Sequence, residues 1–335
     1  MNRRLQLLII IGTGALIAAF ISHSIIAWLR IETTFGGHWV IESGNGKPSV
    51  FMAGSSLAGD GLSWERISDD LKLRIEGWGV AGSSTSEWEQ FQHRATQANL
   101  TILVVSPYDL NENFLCDFRA ELVPLRQTVK DLWQCQADWR FTKRLISTYP
   151  LAYIRTIFPT VGRSEGVMVG VREKFNNLLG KNFPTVSEAR PTLSFNETGS
   201  TQDAKKGRIS NWPPGRMLRR LASMRSGFQG KHAFSGPKQL ALLRMMNHAK
   251  NRGRLVVVVL PVSPAYAKEF LTPAVEREFE IALAEVQRRA SRAHWIRLDQ
   301  LDELNSNENF WDLVHINVYG QKIATEAFLD QLKKN

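Results

Sequence analysis

Residues 100–105 (LTILVV) and 255–260 (LVVVVL) are apolar at every position but Thr101 and rich in β-branched side chains. A strand wetted on one face alternates apolar with polar residues. A strand without alternation is covered on both faces, which is the situation in a parallel sheet. Three further runs, Ser49–Ala53, Leu73–Val80 and Trp295–Leu298, have the length and bounding turn residues of strands. Helical patterns lie between them. Ser86 and Glu89 have the spacing of a capping box ahead of Trp88, Phe91 and Ala95. Thr272–Pro273 offers an N-cap and first-turn proline before Val275, Phe279, Leu283 and Val286, which share a face. This alternation predicts a doubly wound α/β fold, a three-layer α/β/α sandwich on a five-stranded parallel sheet with right-handed crossovers. Functional groups should then gather at the C-terminal ends of the strands.

The N-terminus adds a second constraint. Leu5 to Leu29 carries no formal charge if His23 is neutral, and a helix of roughly 20 apolar residues crosses a bilayer. Arg3 and Arg4 precede the span, Trp28 sits at an interfacial position and Arg30 follows. The positive-inside rule keeps Arg3 and Arg4 cytoplasmic and sends the remainder outward. The stretch exceeds the apolar core of a cleaved signal peptide, although Ala18 and Ala19 offer a cleavage point. The expectation is an uncleaved single-pass anchor over residues 1–30, in the cytoplasmic membrane, with a periplasmic or otherwise extracytoplasmic domain over residues 48–335.

Composition narrows the partners. The 10 Trp and 17 Phe argue against disorder. The net charge of +10 suits an anionic polymer or phospholipid surface, and the outward topology removes nucleic acid as an expected partner. The two cysteines, Cys116 and Cys135, can pair in an oxidising compartment or stay as thiols. No Cys/His cluster has zinc-site spacing, so neither metal nor cofactor is implied. From about 114 to 236 the strand–helix rhythm is interrupted by an insertion. Its middle, about 185–215, is rich in Ser, Thr, Asn, Pro and Gly and reads as a loop, and a basic stretch (RMLRRLASMRSGFQGKH) follows.

Four segments at predicted strand ends carry chemistry. Ala53–Leu62 (AGSSLAGDGL) sets a serine in a glycine-flanked turn into a helix, where a hydroxyl is exposed and backbone N–H groups converge on an oxyanion. No Lys-Ser/Thr ends the turn, so it is not a P-loop. Gly77–Trp88 places Gly82 where its N–H can join that hole. Ser106–Asn113 (SPYDLNEN) offers Asp109, Asn111 and Asn113; Asn111 is the better donor by type, because its amide can face an anion. Trp311–Gly320 (WDLVHINVYG) holds Asp312 and His315 three residues apart, so that the carboxylate can orient one imidazole nitrogen while the other faces a serine.

On these residues the chain resembles the SGNH/GDSL hydrolase superfamily. Gly54-Ser55-Ser56-Leu57 is similar to its Gly-Asp-Ser-Leu block, with Ser55 at the usual Asp position and Ser56 as nucleophile. Gly82 falls at the second-block glycine. Ser106–Asp109 falls on the Gly-x-Asn-Asp block and departs from it, because Tyr108 stands where the oxyanion-hole Asn is expected. Asp312-x-x-His315, with Asn317 and Gly320 behind it, matches the closing block. The resemblance spans about 48–113 and 254–333 and leaves out the insertion. It implies Ser56, Asp312 and His315 as catalytic residues and the backbone N–H groups of Ser56 and Gly82, with Asn111, as the oxyanion hole. It also implies Ser55, Tyr108, Asp109 and Asn317 as candidate site-lining residues.

Gly-Ser-Ser for Gly-Asp-Ser, one N-terminal span and a strand ending in Val259–Pro264 (VLPVSP) are similar to the anchored proteins of D-alanylation and alginate-type O-acetylation systems. That likeness implies an O-acyltransferase that passes an acyl group through acyl-Ser56 to an envelope glycan or polymer hydroxyl, beside a membrane-bound O-acyltransferase partner. Two alternatives share the residues: an envelope esterase or lipase, and a non-catalytic scaffold with a degenerate site.

Overall fold

The computed structural model describes residues 3–29, 38–41, 50–80, 82–93, 98–114, 120, 122–161, 171, 207–227, 232–249 and 253–334. In chain order the elements are α1 (Arg3–Leu29), β1 (His38–Ile41), β2 (Val50–Ser55), α2 (Ser56–Gly61), α3 (Trp64–Leu71), β3 (Ile75–Val80), α4 (Thr85–Gln92) and β4 (Leu100–Val105). The middle of the chain holds α5 (Leu125–Gln134), α6 (Trp139–Ile146), α7 (Tyr149–Ile157) and α8 (Pro214–Gly227). The last part is α9 (Pro237–Ala249), β5 (Arg254–Val259), α10 (Pro264–Phe270), α11 (Pro273–Arg289), β6 (His294–Arg297) and α12 (Val318–Lys333). The chain divides into two compact units, Met1–Gly36 with Arg144–Thr192 and Gly37–Lys143 with Leu193–Asn335.

The first unit contains α1 and α7. From Ile10 to Trp28, α1 is long and apolar enough to cross a membrane. Leu16, Ile17 and Phe20 are exposed, whereas Ser22 and Ile26, one helical turn apart, are buried. Ser22 Oγ lies 2.8 Å from Thr160 Oγ1 and accepts the Thr160 N–H at 3.1 Å.

The second unit is built on a six-stranded, mostly parallel sheet in the order β1-β3-β2-β4-β5-β6. Five strands fall where the apolar runs predict them. The sixth, β1, pairs antiparallel with β3 (His38↔Trp78, Ile41↔Ile75) at one edge, so the five-strand expectation is corrected to six. At four residues (HWVI) it is too short to show a period, and the sheet begins ahead of residue 48.

β2 and β4 are buried at every position, and β5 at all but Arg254. Alternate residues feed two cores. Val50, Met52, Ile102, Val104, Val256 and Val258 pack with Leu57, Trp64, Ile67, Tyr266 and Phe328 from α2, α3, α10 and α12. Phe51, Ala53, Leu103, Val105, Val257 and Val259 pack with Trp88, Leu242 and Phe279 from α4, α9 and α11. Helices therefore cover both sheet faces, which is why these strands lack alternation. Each such aliphatic or aromatic side chain contributes about 1.5–3 kcal/mol through burial.

Helix starts follow the sequence in one case and not in the other. Thr272 caps α11, its side chain accepting the Val275 N–H at 3.4 Å, and Phe279, Leu283 and Val286 are buried as expected. The Ser86–Glu89 capping box does not form: α4 starts at Thr85 with Ser84 at the N-cap position. Glu89 is instead drawn to Arg244, which binds it through two nitrogens at 2.6 and 2.7 Å. A bidentate charged pair outweighs one local cap. Trp88 and Phe91 are buried together as predicted, and Ala95 lies outside the described residues.

Within the insertion, residues 207–227 belong to the sheet-bearing unit. Ile209 donates its N–H to Phe310 O at 2.8 Å, and Ile209 and Met224 are buried in the first core. The basic stretch is thus mostly helix α8, laid on the segment that carries Asp312. The Ser/Thr/Asn-rich middle up to residue 206, like Cys116, lies outside the described residues. Cys135 is half-buried, with Sγ 3.7 Å from Leu132 O.

Candidate active site

Three strand ends and one loop converge at the site. β2 runs directly into α2, and Ser55 is the N-cap: its Oγ accepts the Leu57 N–H at 3.1 Å. Ser56 is therefore the first helical residue, and its own N–H is one of the donors that a helix start leaves unpaired. Gly54 makes the turn tight. A Cβ there would meet Ala58 Cβ at 2.3 Å and Val104 at 3.3 Å, so only glycine lets α2 fold back over β4.

The segment from Trp311 to Asn317 is clasped at its base. Phe310 and Ile316 form an isolated antiparallel bridge, and Trp311 N–H donates to His315 O at 3.1 Å. Inside the clasp, Asp312 Oδ1 accepts the N–H groups of Val314 and His315, both at 2.8 Å. Leu313, Val314 and Ile316 turn into the core. Ser263, after β5, donates N–H and Oγ–H to Leu313 O at 3.1 and 2.8 Å.

This frame brings together the three residues that the sequence pairs at a distance. Ser56 Oγ lies 2.8 Å from His315 Nε2. His315 Nδ1 lies 2.9 and 3.0 Å from the two oxygens of Asp312. The serine faces one imidazole nitrogen and the buried carboxylate holds the other, an arrangement in which a serine hydroxyl can be activated as a nucleophile.

Electrostatics reinforce that order. Burial opposes a charged His315, but the Asp312 carboxylate and its hydrogen bond, with Asp60 and Asp109 nearby, raise the imidazole to about 9. Burial likewise opposes an ionised Asp312, yet His315 and the two backbone N–H groups hold it below the usual carboxylate range. Both shifts favour an imidazolium–carboxylate pair against the serine hydroxyl.

Two of the expected oxyanion donors lie in the segments that follow β3 and β4. Gly82, just past β3, has φ 69°, a left-handed conformation that favours glycine. Asn111 is fully buried. Its Oδ1 accepts the N–H groups of Asn113 and Ala233 at 3.1 and 3.2 Å, while its Nδ2 has no partner among the described residues. An amide donor is thereby left over at the end of β4. Tyr108 packs instead against Phe114 and Tyr266, with centroids 4.5 and 6.2 Å away.

Asp109 is buried under the nucleophile turn. Burial lifts its carboxyl to about 6, against the Ser55 and Ser106 hydroxyls and Lys238, which favour its charge. Ser106 Oγ donates to it at 2.9 Å. Asn317 is the N-cap of α12: Oδ1 accepts the Tyr319 and Gly320 N–H groups, and Nδ2 donates to Glu308 O and Gly207 O. It braces the loop behind His315.

Three contributors were not singled out from the sequence. Asp60 is buried and lifted to about 7 by burial, with His315 pulling it down and Asp312 pushing it up. Its signal is spacing, since Ser56 and Asp60 are i and i+4 on α2 and share a face. Trp311 stacks on His315 at 5.0 Å and 22°, adjacent to the recognised motif. Lys238 is buried and donates to Asp109 O at 3.0 Å and Asn111 O at 2.8 Å, fixing the loop after β4. Nothing local announces that lysine, which arrives from α9.

No protein-family model matches the chain, and no curated protein matches it.

Proposed function

We propose that the chain is an SGNH-type enzyme that carries an acyl group on Ser56 outside the cytoplasmic membrane and passes it to a hydroxyl of an envelope glycan or polymer. The observation that carries this reading is the Ser56 Oγ–His315 Nε2–Asp312 alignment at 2.8 and 2.9 Å, at a helix N-terminus.

In the first half-reaction His315, as neutral imidazole, takes the Ser56 hydroxyl proton at Nε2 while Oγ bonds to the acyl carbon. The Ser56 and Gly82 N–H groups and the Asn111 amide stabilise the oxyanion. The tetrahedral adduct collapses, the donor's C–O bond breaks and the leaving oxygen takes the proton from His315. In the second half the acceptor hydroxyl gives its proton to His315, attacks the acyl-serine and releases Ser56 Oγ, which recovers the proton. Asp312 stays ionised and fixes the ring.

The membrane-capable helix α1 supports transfer from a membrane-bound donor. One helix does not carry an acyl group across a bilayer, so the reading includes a membrane-bound O-acyltransferase partner that presents it. A simple esterase uses the same residues with water as acceptor; a scaffold has no need of the aligned hydroxyl.

A fluorophosphonate probe on the full chain in detergent tests the catalytic core of the reading. Labelling that disappears in Ser56→Ala and falls at least a hundredfold in His315→Ala is expected; absence of labelling in the wild type overturns it. Acyl transfer to a glycan that requires the membrane partner, with negligible ester hydrolysis alone, separates transferase from esterase.

A further inference from the structure

Two tryptophans of the sheet-bearing unit stand open to solvent. Trp133, near the end of α5, is 82% exposed, and Trp139, the first residue of α6, is 73% exposed. They are as open as Leu16 and Phe20 of the membrane-capable α1, at 74 and 73%, whereas Trp64 and Trp88 of their own unit are buried. An indole is a large apolar surface with one polar N–H, and two left uncovered mark a surface that something else covers.

The neighbours of these indoles indicate the cover. Arg126, Val129, Lys130 and Trp133 stand at i, i+3, i+4 and i+7 on α5, so they share one face, and all four are exposed. Trp139 and Lys143, i and i+4 on α6, are exposed as well, with Arg140 beside them. Of the two acids between 124 and 147, Asp131 is buried on the inner side of α5 and held by Arg244 at 2.7 and 2.9 Å. The other, Asp138, accepts the Arg140 N–H at 2.9 Å. Arg126, Lys130, Arg140 and Lys143 pair with no carboxylate among the described residues. The outer face is thus indole and cation, mounted on the core through the Asp131–Arg244 pair.

We propose that this face of α5 and the start of α6 rest on anionic phospholipid headgroups, a membrane contact made by the sheet-bearing unit itself. Tryptophan settles at the bilayer interface, its ring among the outer acyl carbons and its N–H toward water. Lysine and arginine beside it are drawn to anionic headgroups. A patch of this size holds a bilayer weakly by itself. The chain, however, passes from Lys143 straight into the unit that contains α1. A bilayer entered by α1 is then presented to the patch at high effective concentration, which turns a weak contact into a lasting one. The inference rests on α1 as an anchor and is independent of the acyl-serine reading.

The test reconstitutes the full chain in vesicles of brominated phosphatidylcholine, with or without phosphatidylglycerol, and follows quenching of tryptophan fluorescence. Trp133→Phe/Trp139→Phe keeps the apolar surface and removes the reporters, so wild type minus this variant isolates the two indoles. Their quenching is expected with phosphatidylglycerol and should fall at least twofold without it. The same fall is expected in salt of about 1 M, where charges are screened within about 3 Å, and in Lys130→Gln/Lys143→Gln with an unchanged Tm. Lys322→Gln/Lys334→Gln, exposed on and just after α12, should leave it as it is. Equal quenching of wild type and the Phe variant, or quenching indifferent to phosphatidylglycerol and salt, overturns the docking. Indoles that become shielded from acrylamide as protein concentration rises, without bromolipid contact, assign the face to a second copy of the chain and overturn it too. Alkaline carbonate extraction of the same vesicles reports on α1 separately. Released protein overturns anchor and docking together, and retained protein with both indoles in water overturns the docking alone.

Discussion

The chemistry of Ser56 is set by the charges around His315. With the imidazole at about 9 and an ordinary histidine near 6.5, the proposed mechanism leaves only the small neutral fraction at pH 7 to act as base. The rate of Ser56 acylation should climb with pH and level off near 9; a plateau already reached at 7 would contradict this. Asp60 enters the same profile. As pH passes about 7 its carboxyl ionises beside His315 and holds the proton there more tightly. Asp60→Asn should shift the acylation inflection to lower pH and raise the rate at pH 8, whereas a structural role alone would change amplitude and leave the inflection in place. Stability follows the same signs. His315, Asp60 and Asp109 all have folded-state values above their ordinary ones. Their contribution is full below the ordinary values and is lost as pH rises, through about 6 to 7 for the carboxyls and about 9 for the imidazole. Asp312, held low, loses its contribution only in acid. Tm should therefore decline from pH 6 to pH 10, and Asp60→Asn should flatten the part of that decline near 7.

At the scale of elements, the site depends on helices joined by buried charge. Arg244 on α9 binds Glu89 on α4 and Asp131 on α5, at 2.6 to 2.9 Å through four contacts. Both carboxylates are buried. Arg244→Met keeps much of the volume but strands two buried acids, at a cost of about 3–5 kcal/mol; urea unfolding of wild type and variant measures it, and a loss below 1 kcal/mol would contradict the network's role. One residue away from that reasoning, Gly54→Ala should abolish Ser56 labelling, because the added methyl meets Ala58 Cβ and forces α2 off the strand. These elements also show what sequence periodicity can reach. Continuous β-branched runs announce strands covered on both faces, and a capped, periodic stretch announces α11. Asp312 and His315 stand on one turn, so local spacing predicts their pairing, and a glycine-flanked turn predicts Ser56. Arg244, Glu89 and Asp131 come from separate parts of the chain, as do Lys238 and the Asp109 and Asn111 carbonyls it binds, and their pairing is decided by packing. The displaced start of α4 has the same cause, since Glu89 is claimed by a partner 155 residues away.

For the molecule as a whole, the proposed function requires the sheet-bearing unit to work on the far side of the membrane from the two N-terminal arginines. α1 is 27 residues long, about 40 Å at 1.5 Å per residue, against a hydrocarbon core of about 30 Å. It is therefore long enough to span that core with a tilt. The buried Ser22, hydrogen-bonded to Thr160, shows that α1 also has a protein-facing side, which a leader removed after export would not supply to the mature chain. Leu151, Tyr153, Ile154 and Ile157 of α7, in the same unit, are exposed apolar residues that suit a lipid surface. Alkaline phosphatase fused after Asn335 should be active in intact bacterial cells, and alkaline carbonate should leave the protein in the membrane. The N-terminal sequence of the purified protein should retain Leu5–Leu29. An inactive fusion would reverse the orientation and remove an envelope acceptor. A mature product starting just beyond Ala19 would replace the anchor with a leader, and with it the reason for a membrane-bound acyl donor.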